Sequence, residues 1–130
     1  MSKKIKKVLF VEDDPSIIDV YSIMMKKEHF DVEAISSGQE ALRKIKNIVA
    51  GDNGKPDMIL LDLILPDIDG MEILKEVKKN KETKDIKVLV LTNKQDTQLQ
   101  LPDDFKPDNF LIKANTSPTQ LLELIKKQLK

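Results

Sequence analysis

The stretch VLFVEDDP, residues 8–15, places three consecutive acidic residues directly after four apolar ones. The apolar run is typical of a strand that is buried on both faces of a parallel sheet. Asp14 and Pro15 then predict a helix start, with Asp14 as the N-cap and proline at the first helical position. Carboxylates a few Å apart repel each other by roughly 4 kcal/mol per pair at an effective dielectric constant near 20. At the end of a buried strand, this acidic run therefore predicts a positive partner, and a metal ion is the natural candidate.

The same order of strand pattern followed by helix pattern recurs along the chain. Strand patterns occupy residues 5–11, 30–35, 58–61, 87–92 and 109–112. Amphipathic helix patterns follow four of them, and Ser37, Asp69 and Ser117 are suited to cap the later helices. The exception is segment 93–108, whose two prolines, four aspartates and weak amphipathic period predict a short or irregular fourth helix. The alternation predicts an α/β fold, a parallel sheet covered by helices on both faces.

Composition narrows the classes of function. The chain has 130 residues, the size of one domain, and 22 basic residues balance 22 acidic ones. That balance argues against binding nucleic acid through bulk charge. The absence of cysteine excludes disulfides and thiolate metal sites. No apolar run approaches the ~18 residues needed to span a membrane, so we expect a single cytoplasmic domain over residues 1–130, without an output domain.

Polar residues follow four of the predicted strands. They are Glu12, Asp13 and Asp14 after the first, Asp62 after the third, Thr92 at the end of the fourth and Lys113 after the fifth. In an open parallel sheet the carboxyl ends of the strands meet at the ligand-binding edge. Converging carboxylates suit Mg²⁺, a hard cation that takes oxygen ligands. With Asp62 as nucleophile, and with Thr92 and Lys113 holding the other oxygens, the set suits phosphoryl transfer.

Four segments in order resemble the receiver domain of two-component response regulators, and the resemblance extends from about Lys4 to Lys130. These segments are VLFVEDDP (8–15), PDMILLDLILPDIDG (56–70), VLVLTN (88–93) and DNFLIK (108–113). The resemblance implies a doubly wound, CheY-like fold with five helices and strand order 2-1-3-4-5. It also implies that a sensor histidine kinase or a histidine phosphotransfer protein donates a phosphoryl group to an aspartate.

The resemblance implies a role for each matching residue of the acidic cluster. Asp62 matches the phosphoacceptor. Glu12 and Asp13 match the acidic pair that binds Mg²⁺, with Asp13 the more direct ligand. The backbone carbonyl of Ile64 matches a further metal ligand, and Asp14 caps the helix instead.

Other matching positions concern switching and the lifetime of the phosphorylated state. Thr92 matches the switch hydroxyl, Lys113 the lysine that pairs with the phosphoryl group, and Phe110 the aromatic that turns inward on activation. Ile64 and Lys94, two residues beyond Asp62 and Thr92, match positions that tune hydrolysis. Apolar Ile64 cannot orient an attacking water, so we expect a persistent phosphoaspartate.

Three positions depart from the usual receiver pattern. Ala114 follows Lys113 where receivers usually carry a proline in a cis peptide bond, which leaves the geometry of this bond open because a cis bond before alanine costs ~3 kcal/mol. Asn93 replaces a smaller residue. Phe110 lacks the hydroxyl that a tyrosine would have.

The leading hypothesis is a stand-alone receiver that catalyses its own phosphorylation and signals through a downstream protein or a phosphorelay. The alternative is a pseudo-receiver, an interaction module that no longer depends on phosphorylation. A phosphatase of the haloacid-dehalogenase type would need a second aspartate where Ile64 stands. A flavodoxin-like cofactor binder would need a phosphate-binding loop, which the acidic residues 12–14 would repel.

Overall fold

A five-stranded parallel sheet is the centre of the molecule. The computed structural model describes residues 5–93 and 106–129. The strands are β1 (Lys7–Val11), β2 (Asp31–Ile35), β3 (Met58–Leu61), β4 (Lys87–Thr92) and β5 (Asn109–Ile112). Their order in the sheet is β2-β1-β3-β4-β5, with every pair parallel. The predicted fold class and strand order are confirmed.

Four helices flank the sheet in the described residues. They are α1 (Pro15–Lys27), α2 (Gly38–Val49), α3 (Gly70–Lys79) and α4 (Pro118–Gln128). Each begins after one of the predicted N-caps, which are Asp14, Ser37, Asp69 and Ser117. The predicted irregular helix within 93–108 falls almost entirely outside the described residues.

The alternation of side chains along the strands separates two cores. Leu9 and Val11 point to one face, where they join residues of α2 and α3, and Val8 and Phe10 point to the other, where they join α1 and α4. All four residues of β3 are fully buried. Because full burial of a Leu or Ile side chain contributes about 1.5–3 kcal/mol, β3 is a rigid support for the residues that follow it.

None of the helices in the described part of the chain is long and apolar enough to span a membrane.

The register brings the ends of β1 and β3 side by side. Val11 lies opposite Ile35 in β2 and Leu61 in β3. The next residues continue the ladder, since Glu12 donates its N–H to Ile35 at 3.1 Å and Asp62 donates its N–H to Val11 at 3.0 Å. Both carboxylates therefore leave the sheet at the same edge.

Candidate functional site

A buried ion-pair cluster joins Glu12, Asp62 and Lys113. The Lys113 ammonium lies 2.6 Å from Glu12 Oε1 and 2.7 Å from Asp62 Oδ2. Glu12 and Asp62 are 1% and 5% exposed, so this cation is the main neutralising group available to them. Lys113 reaches the site because it directly follows β5, in a short 3₁₀ turn.

Burial and hydrogen bonding act in opposite directions on the pKa values of Glu12 and Lys113. Burial raises the pKa of the Glu12 carboxyl, although hydrogen bonds from Lys113 and from the backbone N–H of Asp14 pull it down. Burial alone would lower the pKa of Lys113. The hydrogen bonds to Asp62 and Glu12 outweigh that effect and raise it. The ammonium is therefore firmly held between the two carboxylates.

Asp13 completes a group of three carboxylates that fits a cation. One oxygen each from Glu12, Asp13 and Asp62 lies within 4.8 Å of the others. Asp13 is exposed, so the group is open to solvent on one side. Among the described residues, three carboxylates against the ammonium of Lys113 leave two uncompensated negative charges, and all the donor atoms are the oxygens that Mg²⁺ prefers. Asp14 is engaged elsewhere, because its side chain accepts the N–H of Ser16 at 2.9 Å.

Two further predicted residues flank this cluster. Thr92 is fully buried at the end of β4, and its strand partner Ile112 immediately precedes Lys113. Ile64 is 53% exposed, and its N–H donates to Asp62 Oδ1 at 3.0 Å. The backbone after Asp62 therefore orients the predicted acceptor.

The remaining predicted positions are Phe110, the peptide bond after Lys113, and Lys94. Phe110 is half-buried and packs against the core on the α2 and α3 face. The peptide bond between Lys113 and Ala114 is trans, as are all others in the described residues. Lys94, which is predicted to tune hydrolysis, lies outside the described residues.

Sequence reasoning missed Gly70, the first residue of α3. Its N–H donates to the carbonyl of Leu63 at 3.0 Å. A Cβ at this position would lie 2.6 Å from the carbonyl oxygen of Asp62 and 2.6 Å from Leu63 Cα. The start of α3 therefore packs directly against the backbone that carries Asp62. The available signal was a glycine at a first helical position, where glycine has no intrinsic advantage.

We expect Gly70→Ala to destabilise the fold by about 1–3 kcal/mol, the usual cost of overpacking, because the atoms in the way are backbone and cannot rotate aside. Urea unfolding measures this. The comparison variant is Gly54→Ala. A Cβ at Gly54 would have no atom within 4 Å, so any loss of stability there measures the strain of alanine at positive φ and not overpacking. A Gly70→Ala variant as stable as wild type would contradict the close packing.

Sequence reasoning also missed Asp67, in the loop between β3 and α3. Its carboxylate accepts the N–H groups of Gly38 and Gln39 at 3.0 and 2.9 Å and the hydroxyl of Ser37 at 2.8 Å. It also accepts the N–H of Ile68 at 3.1 Å. These donors lower the pKa of Asp67 to about 2, the backbone N–H of Gln39 contributing most. The loop is thereby attached to the first turn of α2.

The sequence of the chain was compared with protein families and with known proteins, and both comparisons identify the same family. Residues 8–126 match the family model of the response regulator receiver domain. The DNA-binding response regulator MtrA of Mycolicibacterium smegmatis is 27% identical over 126 residues, which are 96% of this chain and 51% of the relative. The chain therefore spans about half the length of this relative.

Solved structures share the whole architecture. The chemotaxis response regulator CheY4 of Vibrio cholerae superposes with a TM-score of 0.81 at 27% identity, over 97% of this chain and 100% of that one. The response regulator TrrA of Thermotoga maritima, in complex with Mg²⁺–BeF, gives a TM-score of 0.78 at 28% identity, over 96% and 100% of the two chains. The chain belongs to the response regulator receiver domain family of two-component systems.

Proposed function

We propose that the protein accepts a phosphoryl group on Asp62 in a Mg²⁺-dependent reaction. The donor is the phosphohistidine of a sensor histidine kinase or of a histidine phosphotransfer protein. The observation that supports this most is the convergence of Glu12, Asp13, Asp62 and Lys113 at the edge of the sheet. These residues come from three different strand ends, and a surface with merely scattered charges would not bring them together.

The chain's own residues account for the transfer step. A carboxylate oxygen of Asp62 bonds to phosphorus while the bond between phosphorus and the imidazole nitrogen of the donor breaks, so the product is an acyl phosphate. The N–H of Ile64, 3.0 Å from Asp62 Oδ1, fixes the attacking carboxylate. The Lys113 ammonium, within 2.7 Å of Asp62, stabilises negative charge on the transferring group.

Glu12, Asp13, Asp62 and the backbone carbonyl of Ile64 would hold the Mg²⁺ ion. When bound, the ion neutralises the carboxylates and the phosphoryl oxygens, which removes the repulsion between a dianionic donor and an acidic site. Asp13 suits the most direct contact, since it is exposed while Glu12 is buried and paired with Lys113. The structure of TrrA in complex with Mg²⁺–BeF supports Mg²⁺ as the cation.

We propose that Thr92 and Phe110 carry the signal away from the site. Thr92 is buried beside the strand that leads to Lys113, from where its hydroxyl is suited to contact a phosphoryl group on Asp62. Phe110 is half-buried on β5, the edge strand of the sheet, so part of its side chain lies at the surface. The output is a contact with a downstream protein or a phosphorelay partner, in the cytoplasm and without direct contact to nucleic acid.

Intact-mass measurement after incubation with acetyl phosphate tests the proposal. We expect one added phosphoryl group per chain when Mg²⁺ is present and none when it is removed by a chelator. Absence of the adduct under every condition would contradict the proposal and favour the pseudo-receiver.

The exposed side chain of Ile64 predicts a long-lived phosphoaspartate. It is apolar and 53% exposed beside Asp62, so it offers no hydrogen bond to a water that attacks phosphorus. We expect Ile64→Asn to speed hydrolysis roughly five- to tenfold, the effect of one added hydrogen bond of about 1–1.4 kcal/mol. Decay of the phosphorylated mass measures the rate. Ile23→Asn, the same change at an exposed position of α1, is the control, and a wild-type lifetime as short as that of Ile64→Asn would contradict the prediction.

A further inference from the structure

We infer that Asp67 is a positioning residue for the cation and phosphoryl site, although none of its hydrogen bonds reaches Asp62 or the other carboxylates of the cluster. The inference rests on the proposed function. Its basis is that the Asp67 carboxylate ties the β3–α3 loop (residues 62–69) to the first turn of α2, through Ser37, Gly38 and Gln39. These partners lie 28 to 30 positions away in sequence, so the attachment joins separate parts of the fold.

Contacts across the loop connect its two ends, so fixing Asp67 also restrains the residues next to Asp62. Ile64 and Asp69 form an antiparallel bridge across it, and Gly70 donates its N–H to the carbonyl of Leu63. Ile64 in turn donates its N–H to Asp62 Oδ1. Displacement of Asp67 is therefore transmitted through this short loop to the N–H that orients the acceptor and to the carbonyl proposed as a metal ligand.

Packing holds the same loop against α2. A Cβ on Gly38 would lie 2.6 Å from Ile68 Cγ1 and 3.0 Å from Asp67 Oδ1. The backbone at the start of α2 thus approaches the loop as closely as a glycine allows. The hydrogen bonds of Asp67 are formed at this close contact. They fix one position of the loop on α2, whereas apolar packing alone would allow the loop to shift along the helix.

Substitution by asparagine separates positioning from charge. Asp67 Oδ1 accepts the N–H groups of Gly38 and Ile68, and Oδ2 accepts from Gln39 and Ser37. The side chain introduced by Asp67→Asn keeps the first pair of bonds and sets an amide donor against the N–H of Gln39, whereas Asp67→Ala loses every bond. A purely electrostatic effect on a bound cation would make the two variants equal. A positioning effect makes the asparagine variant intermediate.

Calorimetric titration with MgCl₂ on the full chain, without any phosphoryl donor, tests the inference. We expect the Mg²⁺ dissociation constant to rise about tenfold in Asp67→Ala, the lower end of the range for residues that orient metal ligands, and roughly threefold in Asp67→Asn. The amide NMR signal of Ile64 should shift in both variants before Mg²⁺ is added. Urea unfolding of each variant shows that it is folded under the conditions of the titration.

The matched control is Asp85→Asn, which removes a carboxylate that pairs with Lys55 away from the site. It should bind Mg²⁺ as wild type does. Equal affinities for wild type and Asp67→Ala would overturn this inference alone, and so would equal losses in the alanine and asparagine variants. A wild-type protein that binds no Mg²⁺ would overturn the proposed function together with it.

Discussion

Replacing Asp62 with asparagine is expected to abolish the Mg²⁺-dependent phosphoryl adduct. The amide cannot form the acyl phosphate, because its oxygen is a poor nucleophile and no carboxylate occupies its place. The fold should survive, since the amide oxygen of the Asp62→Asn variant can still accept the N–H of Ile64, which Asp62 accepts at 3.0 Å. Intact mass after incubation with acetyl phosphate should show the unmodified chain alone.

The control for this loss is Asp85→Asn, an exposed carboxylate in an ion pair with Lys55. It should be phosphorylated to the wild-type extent. An adduct of full yield in Asp62→Asn would show that another residue accepts the group, and peptide mapping would then identify it. Phosphorylation of neither variant nor wild type would remove the proposed function itself.

Local chemistry explains why much of the fold and the site could be predicted. The bounds of β3 and β4 match the patterns at 58–61 and 87–92, because buried parallel strands are continuous apolar runs. The bounds of β5, which is half-buried, match the short run at 109–112. The N-caps are equally local, since an N-cap side chain bonds an amide two or three residues on. The convergence of Glu12, Asp62 and Lys113 followed from one further rule, that the carboxyl ends of parallel strands share an edge.

The residues that sequence reasoning missed depend on contacts outside their own local sequence pattern. Asp67 looks like a turn residue in LPDIDG, and nothing near it in the chain identifies Gly38 or Gln39 as its partners. Gly70 looks like part of an Asp-Gly turn, whereas its reason is the approach of α3 to the backbone of Asp62 and Leu63. Both roles depend on how α2 and α3 pack against the β3–α3 loop in the folded structure, so a local pattern does not encode them.

Asp13→Asn is expected to be more stable than wild type in metal-free buffer and less stable than wild type when Mg²⁺ is saturating. Without the ion, Asp13 adds a third carboxylate to Glu12 and Asp62, opposed only by Lys113 among the described residues. Its removal should therefore raise the free energy of unfolding in metal-free buffer, by about 1 kcal/mol because Asp13 is exposed and solvent screens it. With the ion, wild type gains about 2.7 kcal/mol at a hundredfold excess over the dissociation constant. The variant loses a metal ligand and should gain far less, so the order of stability inverts.

Urea unfolding of wild type and Asp13→Asn, each with a chelator and with saturating Mg²⁺, measures this crossing. The matched control is Asp14→Asn, which removes the adjacent charge while asparagine still caps α1, since Asp14 accepts the N–H of Ser16. A general effect of negative charge near the site would make the two variants alike, and added salt would reduce both effects. A ligand role for Asp13 predicts instead that only Asp13→Asn loses most of the Mg²⁺-dependent gain, with a dissociation constant at least about tenfold higher. Two parallel Mg²⁺ responses would exclude Asp13 from the cation site and leave Glu12 and Asp62 as its carboxylates.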